Sequence, residues 1–274
     1  MTETKMPLVN TLINGLRILE TLAFAERPSL GVTEIANRLR LHKSTVLRLL
    51  ATLEHERYVE QDPETREFRL RMKLFEIGSS LLARVSLTSV ARPFLEELGR
   101  LAGEVIHLAI LDEGTVIYID KVESKHTIQM YSRIGRRSPV HCTGVGKALI
   151  AYLSDEELDR IIEQHGLKRY TQNTITDKEA LKRHLAQIRS QEVAFDNEEH
   201  EPGIRCVAAP VRDYTGKVIA SISVAGPTLR MTPERAQALV EPVQHAARRV
   251  SEELGYRAQL VARAQGAPIK EGLS

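Results

Sequence analysis

The sequence predicts an α+β protein in two parts: a small helical unit closed by a hairpin, then a larger mixed domain with a largely antiparallel sheet. Two observations carry that expectation. Before residue 72, three helix-period segments lead into two short strand-like runs. From about residue 105 the period changes, and strand-like runs bounded by turn residues alternate with helix signals.

Taken in order, Leu12, Leu16, Leu19 and Ala23 fall at steps of four, three and four and predict an amphipathic helix over 10–24. Pro28 and Gly31 end it. Thr33 is the expected N-cap of a second helix over 34–39 that buries Ile35, Ala36 and Leu39. A link over 40–42 leads to a third helix. It buries Val46, Leu49, Leu50 and Leu53 and leaves Lys43, Ser44, Thr45 and Arg48 on or near the opposite side. Strands over 58–60 and 68–70 follow, turned by Asp62, Pro63 and Glu64. Three helices and a hairpin in this order form the winged helix-turn-helix plan.

A helical segment over 74–98, broken or kinked near Pro93, carries Leu74, Ile77, Leu81 and Leu82 as a stripe suited to a partner helix. Strands are expected over 105–111 and 116–122, joined by Asp112, Glu113 and Gly114, and again over 127–132, 206–212 and 218–224. Helices fit 143–152, 155–163, 178–191 and 233–254. The expected organisation is a winged unit over 10–72, a linker helix over 73–98, a mixed domain over 99–256 and a loose tail over 257–274 with Gly266, Pro268 and Gly272.

A hydrophobic content of 42% with 27% charged residues belongs to a soluble globular chain. No apolar run approaches the roughly 20 residues of a membrane helix, and the N-terminus lacks the blocks of a signal peptide, so a cytoplasmic address is expected. Cys142 and Cys206 imply no disulfide framework. The net charge of +2 is uninformative, but its distribution is not. Between Ile35 and Leu53 stand Arg38, Arg40, Lys43 and Arg48 with no Asp or Glu. That is either a solvated helix face or a surface for phosphates. On the second reading, Ser44, Thr45 and Arg48 read base edges. Lys43, Arg38 and Arg40 meet phosphates, Arg66 at the hairpin tip touches backbone or minor groove, and Thr33 joins the same surface. A protein-binding module is the alternative, since tri-helical units serve both ends.

Chemistry is sparse elsewhere. GVGKA at 144–148 lacks the P-loop pattern, because His141 stands at the first glycine position and Ala148 after Lys147; Leu149 occupies the third glycine of a dinucleotide fingerprint. What remains is a turn into a helix, either a plain capping loop or amides that receive a carboxylate. Asp196, Glu198, Glu199 and His200, with His141, Cys142 and Cys206, show no metal-ligand spacing, and no nucleophile–base pair stands out. No cofactor, metal or catalytic activity is expected.

Over nearly its whole length the chain resembles the IclR-type transcription regulators. The resemblance rests on GVTEIANRLRLHKSTVLRLLATLEHERYV, YSRIGRRSPVHCTGVGKALIAYL, FDNEEHEPGIRCVAAPVRD and VIASISVAGP. The stretches IHLAILDEGTVIYIDKVES, MYSRIGRR and DNEEHEPGIRC are most similar to the KdgR-like branch, repressors of sugar-acid and pectin-breakdown genes. The resemblance implies a GAF-like effector domain, operator DNA as partner, and a dimer or dimer of dimers. It also implies a pocket for carboxylates and keto acids at Met130, Ser138, Gly144, Val145, Asp196, Ile204, Cys206, Ser223 and Ala225. In that pocket the Gly144 and Val145 amides would bind a carboxylate and Ser223 would donate a hydrogen bond. Asp196 would accept from hydroxyls, and Met130 and Ile204 would form apolar walls. Ser138 stands where glyoxylate- and pyruvate-sensing members look to have Leu, and Ala225 where they have Ser, which favours a different acid, such as a sugar-derived 2-keto acid. An aromatic-acid-responsive activator and, remotely, an enzyme acting on a small acid remain the other readings.

Overall fold

The structure, a computed structural model, describes residues 8–82, 86–127 and 132–258, with the side chains of 78–82 excepted. It divides into two compact units, Met1–Val85 and Ser86–Ser274.

In the first unit α1 (Asn10–Ala23), α2 (Val32–Leu39) and α3 (Lys43–His55) precede a hairpin of β1 (Val59–Gln61) and β2 (Phe68–Leu70), followed by α4 (Lys73–Leu82). Ile18, Leu22, Leu30, Ile35, Val46, Leu50, Val59 and Phe68 make its core. Two details differ from expectation. The buried face of α1 is Gly15, Ile18 and Leu22, whereas Leu12 and Leu16 are 62% and 51% exposed. Two apolar stripes run along this helix, and spacing alone does not say which one the core takes. The second helix starts at Val32 with extended Gly31 before it, so Thr33 lies inside the first turn and caps nothing. Val32 packs on the core, and that burial draws the helix start back past Thr33. Left-handed Arg40 (φ 55°) closes α2, and His42 leads straight into α3. At the hairpin turn Asp62 Oδ1 accepts the N–H groups of Glu64 and Thr65, both at 2.9 Å, which hold its carboxyl below the usual range.

The segment expected as one linker helix is two, α4 and then α5 (Leu87–Ala102) in the second unit. Pro93 sits inside α5 without ending it, because Ala91, Leu95, Leu98 and Ala102 bury one continuous stripe on either side of it.

The second unit continues with β3 (Val105–Asp112), β4 (Thr115–Val122), β5 (Arg137–Ser138), α6 (Gly144–Ile150), α7 (Asp155–His165) and α8 (Lys178–Gln191). Then follow β6 (Ala194–Asn197), β7 (Ile204–Arg212), β8 (Val218–Pro227), α9 (Pro233–Ala238) and α10 (Val240–Glu253). The strands form one antiparallel sheet in the order β5-β4-β3-β8-β7-β6. Helices cover both faces, so the central strands β3, β8 and β7 are buried on both sides and alternate between two cores. On β8, Ala220, Ile222 and Val224 join α5, α9 and α10, whereas Ala225 faces α6 and α8. On β7, Val207 and Ala209 take the first core and Cys206 and Ala208 the second. Ser154 and Glu157 form a capping box on α7, Asp177 caps α8 and Thr232 caps α9.

Strands β5 and β6 were not foreseen, being two and four residues long. The helix expected over 233–254 breaks at Leu239, because Pro242 in the first turn of α10 has no N–H for the Ala238 carbonyl and its ring crowds that group. Most of the strand expected over 127–132, and residues 259–274 of the expected tail, lie outside the described residues.

Candidate functional site

On α3 the buried face is Val46 and Leu50, with Leu49 and Leu53 half-buried. Lys43, Ser44, Thr45 and Arg48 are all exposed, on the side that the helical period assigns them. Exposed Leu47 stands among them, 50% accessible, and sequence reading passed it over. Arg40 at the end of α2 and left-handed Arg66 in the hairpin turn are exposed in the same unit. Arg38 is partly engaged already, its guanidinium 2.6 Å from Glu34 one helical turn away. Thr33 is exposed on the first turn of α2.

The second site is a cavity on the α6 face of the six-stranded sheet. Strand alternation places its walls: His107 on β3, Tyr118 on β4, Asp196 on β6, Ile204 and Cys206 on β7, Ser223 and Ala225 on β8. Thr143, Gly144 and Val145 at the start of α6 and His200 after β6 complete the lining. Seven of the nine pocket residues taken from the resemblance therefore line one cavity. Ser138 does not; it is buried on edge strand β5, opposite Val116 of β4. Met130 lies outside the described residues. The water-accessible space is about 10 Å³, room for roughly one water. A six-carbon acid enters only if the walls part.

Backbone geometry makes this space. Thr143 Oγ1 accepts the Gly146 N–H at 3.2 Å and starts the helix. A Cβ added to Gly144 would stand 2.8 Å from Cys206 Sγ and 3.4 Å from the Ala208 methyl. Gly144→Ala is expected to destabilise the unit by about 1–3 kcal/mol through overpacking and to abolish any ligand-induced rise in its melting midpoint, as thermal-shift titration would read.

Electrostatics in the cavity are shaped by burial. Asp196 is pushed up to about 7, chiefly by desolvation, against the lowering effect of its bond from the Glu199 N–H. That N–H lies 2.8 Å from Asp196 Oδ1, and the His200 N–H reaches the same oxygen at 3.4 Å. Cys206 is pushed up to about 12 by burial and by Asp196, so it is a neutral thiol. Burial holds His107 down to about 3, with the Lys121 ammonium adding to it, so the imidazole is neutral. Behind the cavity Lys147 of α6, fully buried, pairs with Glu199, and His184 Nε2 lies 3.3 Å from the ammonium. The same Glu199 anchors Asp196 through its backbone. Thr171 and Thr174 hydroxyls donate to the Glu198 and Glu199 carbonyls, each at 2.6 Å, which holds the loop in place around left-handed Glu198 (φ 57°).

Sequence reading missed His107, Tyr118, Thr143 and His200. A signal was present for the first, a lone imidazole inside the apolar run VIHLAILD of β3. Among the described residues no cluster of three or more His, Cys, Asp or Glu can hold a metal.

Known proteins bear on both sites. Residues 11–63 match the IclR helix-turn-helix domain, and residues 79–252 match the bacterial transcriptional regulator IclR C-terminal model. The chain belongs to the IclR family. The family's helix-turn-helix binds DNA and its C-terminal domain binds an effector, and this chain is a transcriptional regulator rather than an enzyme. Among IclR-family relatives it is 44% identical over 234 residues to the HTH-type transcriptional regulator KdgR of Escherichia coli K12, covering 85% of this chain and 89% of that one. KdgR of Dickeya chrysanthemi is 42% identical, with 85% and 77% covered. The Agobacterium tumefaciens repressor BlcR superposes with a TM-score of 0.79 at 26% identity, covering 91% of this chain and 99% of that one. The C-terminal domain of E. coli KdgR gives 0.57 at 44% identity, covering 62% and 99%. No helix among the described residues is long and apolar enough to cross a membrane.

Proposed function

We propose that this regulator is a cytoplasmic, homodimeric or tetrameric repressor of sugar-acid catabolic genes, released from its operator by a small keto acid such as 2-keto-3-deoxygluconate. One observation carries the reading: Gly144, Val145, Asp196, Ile204, Cys206, Ser223 and Ala225 converge on one enclosed cavity. The similarity to two KdgR proteins supports the choice of acid. Amides of Gly144 and Val145 receive the carboxylate, Ser223 donates to a carboxylate or keto oxygen, and Asp196 meets hydroxyls. In the other unit α3 reads the operator with Ser44, Thr45 and Arg48, while Lys43, Arg40, Arg38 and Arg66 hold phosphates. Thr33 lies beside them on α2. Binding a ligand that fits only the opened cavity shifts the population toward a form with lower operator affinity. The exposed Leu12 and Leu16 of α1 are the apolar surface offered to a second copy.

A thermal-shift panel of pyruvate, glyoxylate, 2-keto-3-deoxygluconate, aldonates, uronates and hydroxybenzoates tests the reading. A ligand at a hundred times its dissociation constant adds about 2.7 kcal/mol. The sugar-derived keto acid is expected to raise the midpoint most; a rise with hydroxybenzoates alone would assign an aromatic-acid sensor instead.

The same cavity sets a pH dependence. A ligand carboxylate confined beside Asp196 repels its charged form and favours its protonated form. Binding therefore takes up a proton, and affinity falls as pH rises through about 7, by up to about tenfold per unit. Isothermal titrations from pH 6 to 8.5 should show that fall in the wild type and a flat profile in Asp196→Asn.

A further inference from the structure

The cavity contains one buried group with a choice of proton position, and its neighbours decide it. His107 is 1% exposed and faces the cavity from β3, directly opposite Ser223 of β8 in the antiparallel register. Its Nδ1 lies 3.5 Å from Ser223 Oγ and its Nε2 lies 2.7 Å from Ser132 Oγ. The ring also rests against Tyr118, centroids 4.8 Å apart. A neutral imidazole carries one N–H and one lone pair. In the acid complex proposed above, the Ser223 hydroxyl has one proton to give, and it goes to the carboxylate or keto oxygen of the ligand. Toward His107, then, Ser223 can only accept. The N–H is therefore on Nδ1, and Nε2 is the lone pair that accepts from the Ser132 hydroxyl. The carbonyl of Ser132 is itself held by Lys121 Nζ at 3.0 Å, which fixes the far end of the chain.

The result in the complex is a directed relay, Ser132 O–H to Nε2, Nδ1–H to Ser223 Oγ, and Ser223 O–H to the ligand oxygen.

We propose that His107 is a positioning residue for effector selection: it orients the Ser223 proton into the cavity and thereby makes the site choose ligands with an oxygen acceptor beside Cys206. The proposal rests on the reading of this cavity as the acid site. His107 acts through Ser223 and need not touch the ligand.

Two substitutions separate the ring nitrogens. The amide of Asn reaches the position of Nδ1 and keeps a donor for Ser223, whereas the longer Gln reaches the position of Nε2 and keeps only the Ser132 side. Isothermal titration with 2-keto-3-deoxygluconate, and separately with pyruvate, is run on wild type, His107→Asn, His107→Gln, Ser223→Ala and His107→Gln/Ser223→Ala, each with its melting midpoint in the absence of ligand. Expected are an affinity within about threefold of wild type for His107→Asn and a loss of about tenfold or more for His107→Gln and for Ser223→Ala. The double variant should be no weaker than Ser223→Ala alone. Equal losses in the Asn and Gln variants, or losses that multiply in the double variant, would show a packing role and overturn the proposal. Full affinity in Ser223→Ala would overturn it as well. If neither acid binds the wild type, the acid-site reading itself fails and takes the proposal with it.

Discussion

Lys147→Met should lower the stability of the effector unit by about 3–5 kcal/mol, because it leaves the Glu199 carboxylate buried and unpaired. Lys147 is fully buried, and its ammonium sits on Glu199 with His184 alongside. Burial and that ammonium hold His184 down to about 4, so His184 contributes no compensating charge at neutral pH. At roughly 2–4 °C per kcal/mol for a unit of this size, the melting midpoint should fall by about 10 °C. Glu199→Gln in the Lys147→Met background removes the orphaned charge and should recover much of the loss, a double-mutant cycle that calorimetry reads directly. The pair also has a local consequence. Glu199 donates its N–H to Asp196, so loosening it releases the carboxyl that faces the cavity. Any effector response should weaken in Lys147→Met even at temperatures where the unit stays folded.

Replacing Ser44, Thr45 and Arg48 together by alanine should abolish discrimination between operator and random DNA. Specific sites are bound typically ~10³ times or more tighter than random sequence, and that margin is what the triple change should erase. All three side chains are exposed on α3 and make no side-chain hydrogen bond or ion pair among the described residues. Their removal should therefore move the melting midpoint little, within about 0.5 kcal/mol. Arg48→Ala alone should cost about 1–3 kcal/mol on the operator and relax preference at its base pair. Lys43→Ala should weaken operator and random DNA alike and reduce the salt slope by about one. Anisotropy titrations at several salt concentrations separate the two behaviours.

The winged unit was largely legible in the sequence because each of its signals is local. The link at 40–42, the basic stretch and the Asp62 turn each need only a few neighbouring residues to be read. What misled was α1, where Leu12 and Leu16 continue a sound helical period on the face the core does not take. Choosing between two stripes is a tertiary decision. In the second unit, long strands and capped helices were readable, but β6 was hidden inside a polar run that drew attention as a cluster of acids. The break at Leu239 is announced only by Pro242, three residues on in the first turn of the next helix.

The cavity was legible only through the family resemblance. Its walls come from five strands and a helix start, and nothing in the residue spacing brings His107, Tyr118 and Ser223 together before the register of β3, β4 and β8 is known. Ser138 shows the reverse. Its position suggested a pocket residue, and pairing with Val116 puts it on the same face as Tyr118, yet it stands on the edge strand beyond Tyr118 and does not line the space. Lys147 gave a warning of its own, a charge within the apolar run GVGKALIAYL that only a buried partner makes tolerable.

The most direct test of the account is operator affinity of the full chain measured by anisotropy with and without 2-keto-3-deoxygluconate, in wild type and Ser223→Ala. The account predicts at least about a tenfold fall on adding the acid, which corresponds to a coupling of about 1.4 kcal/mol, and little or no fall in the variant. An operator affinity untouched by an acid that demonstrably binds the wild type, or a fall equally large in Ser223→Ala, would contradict it.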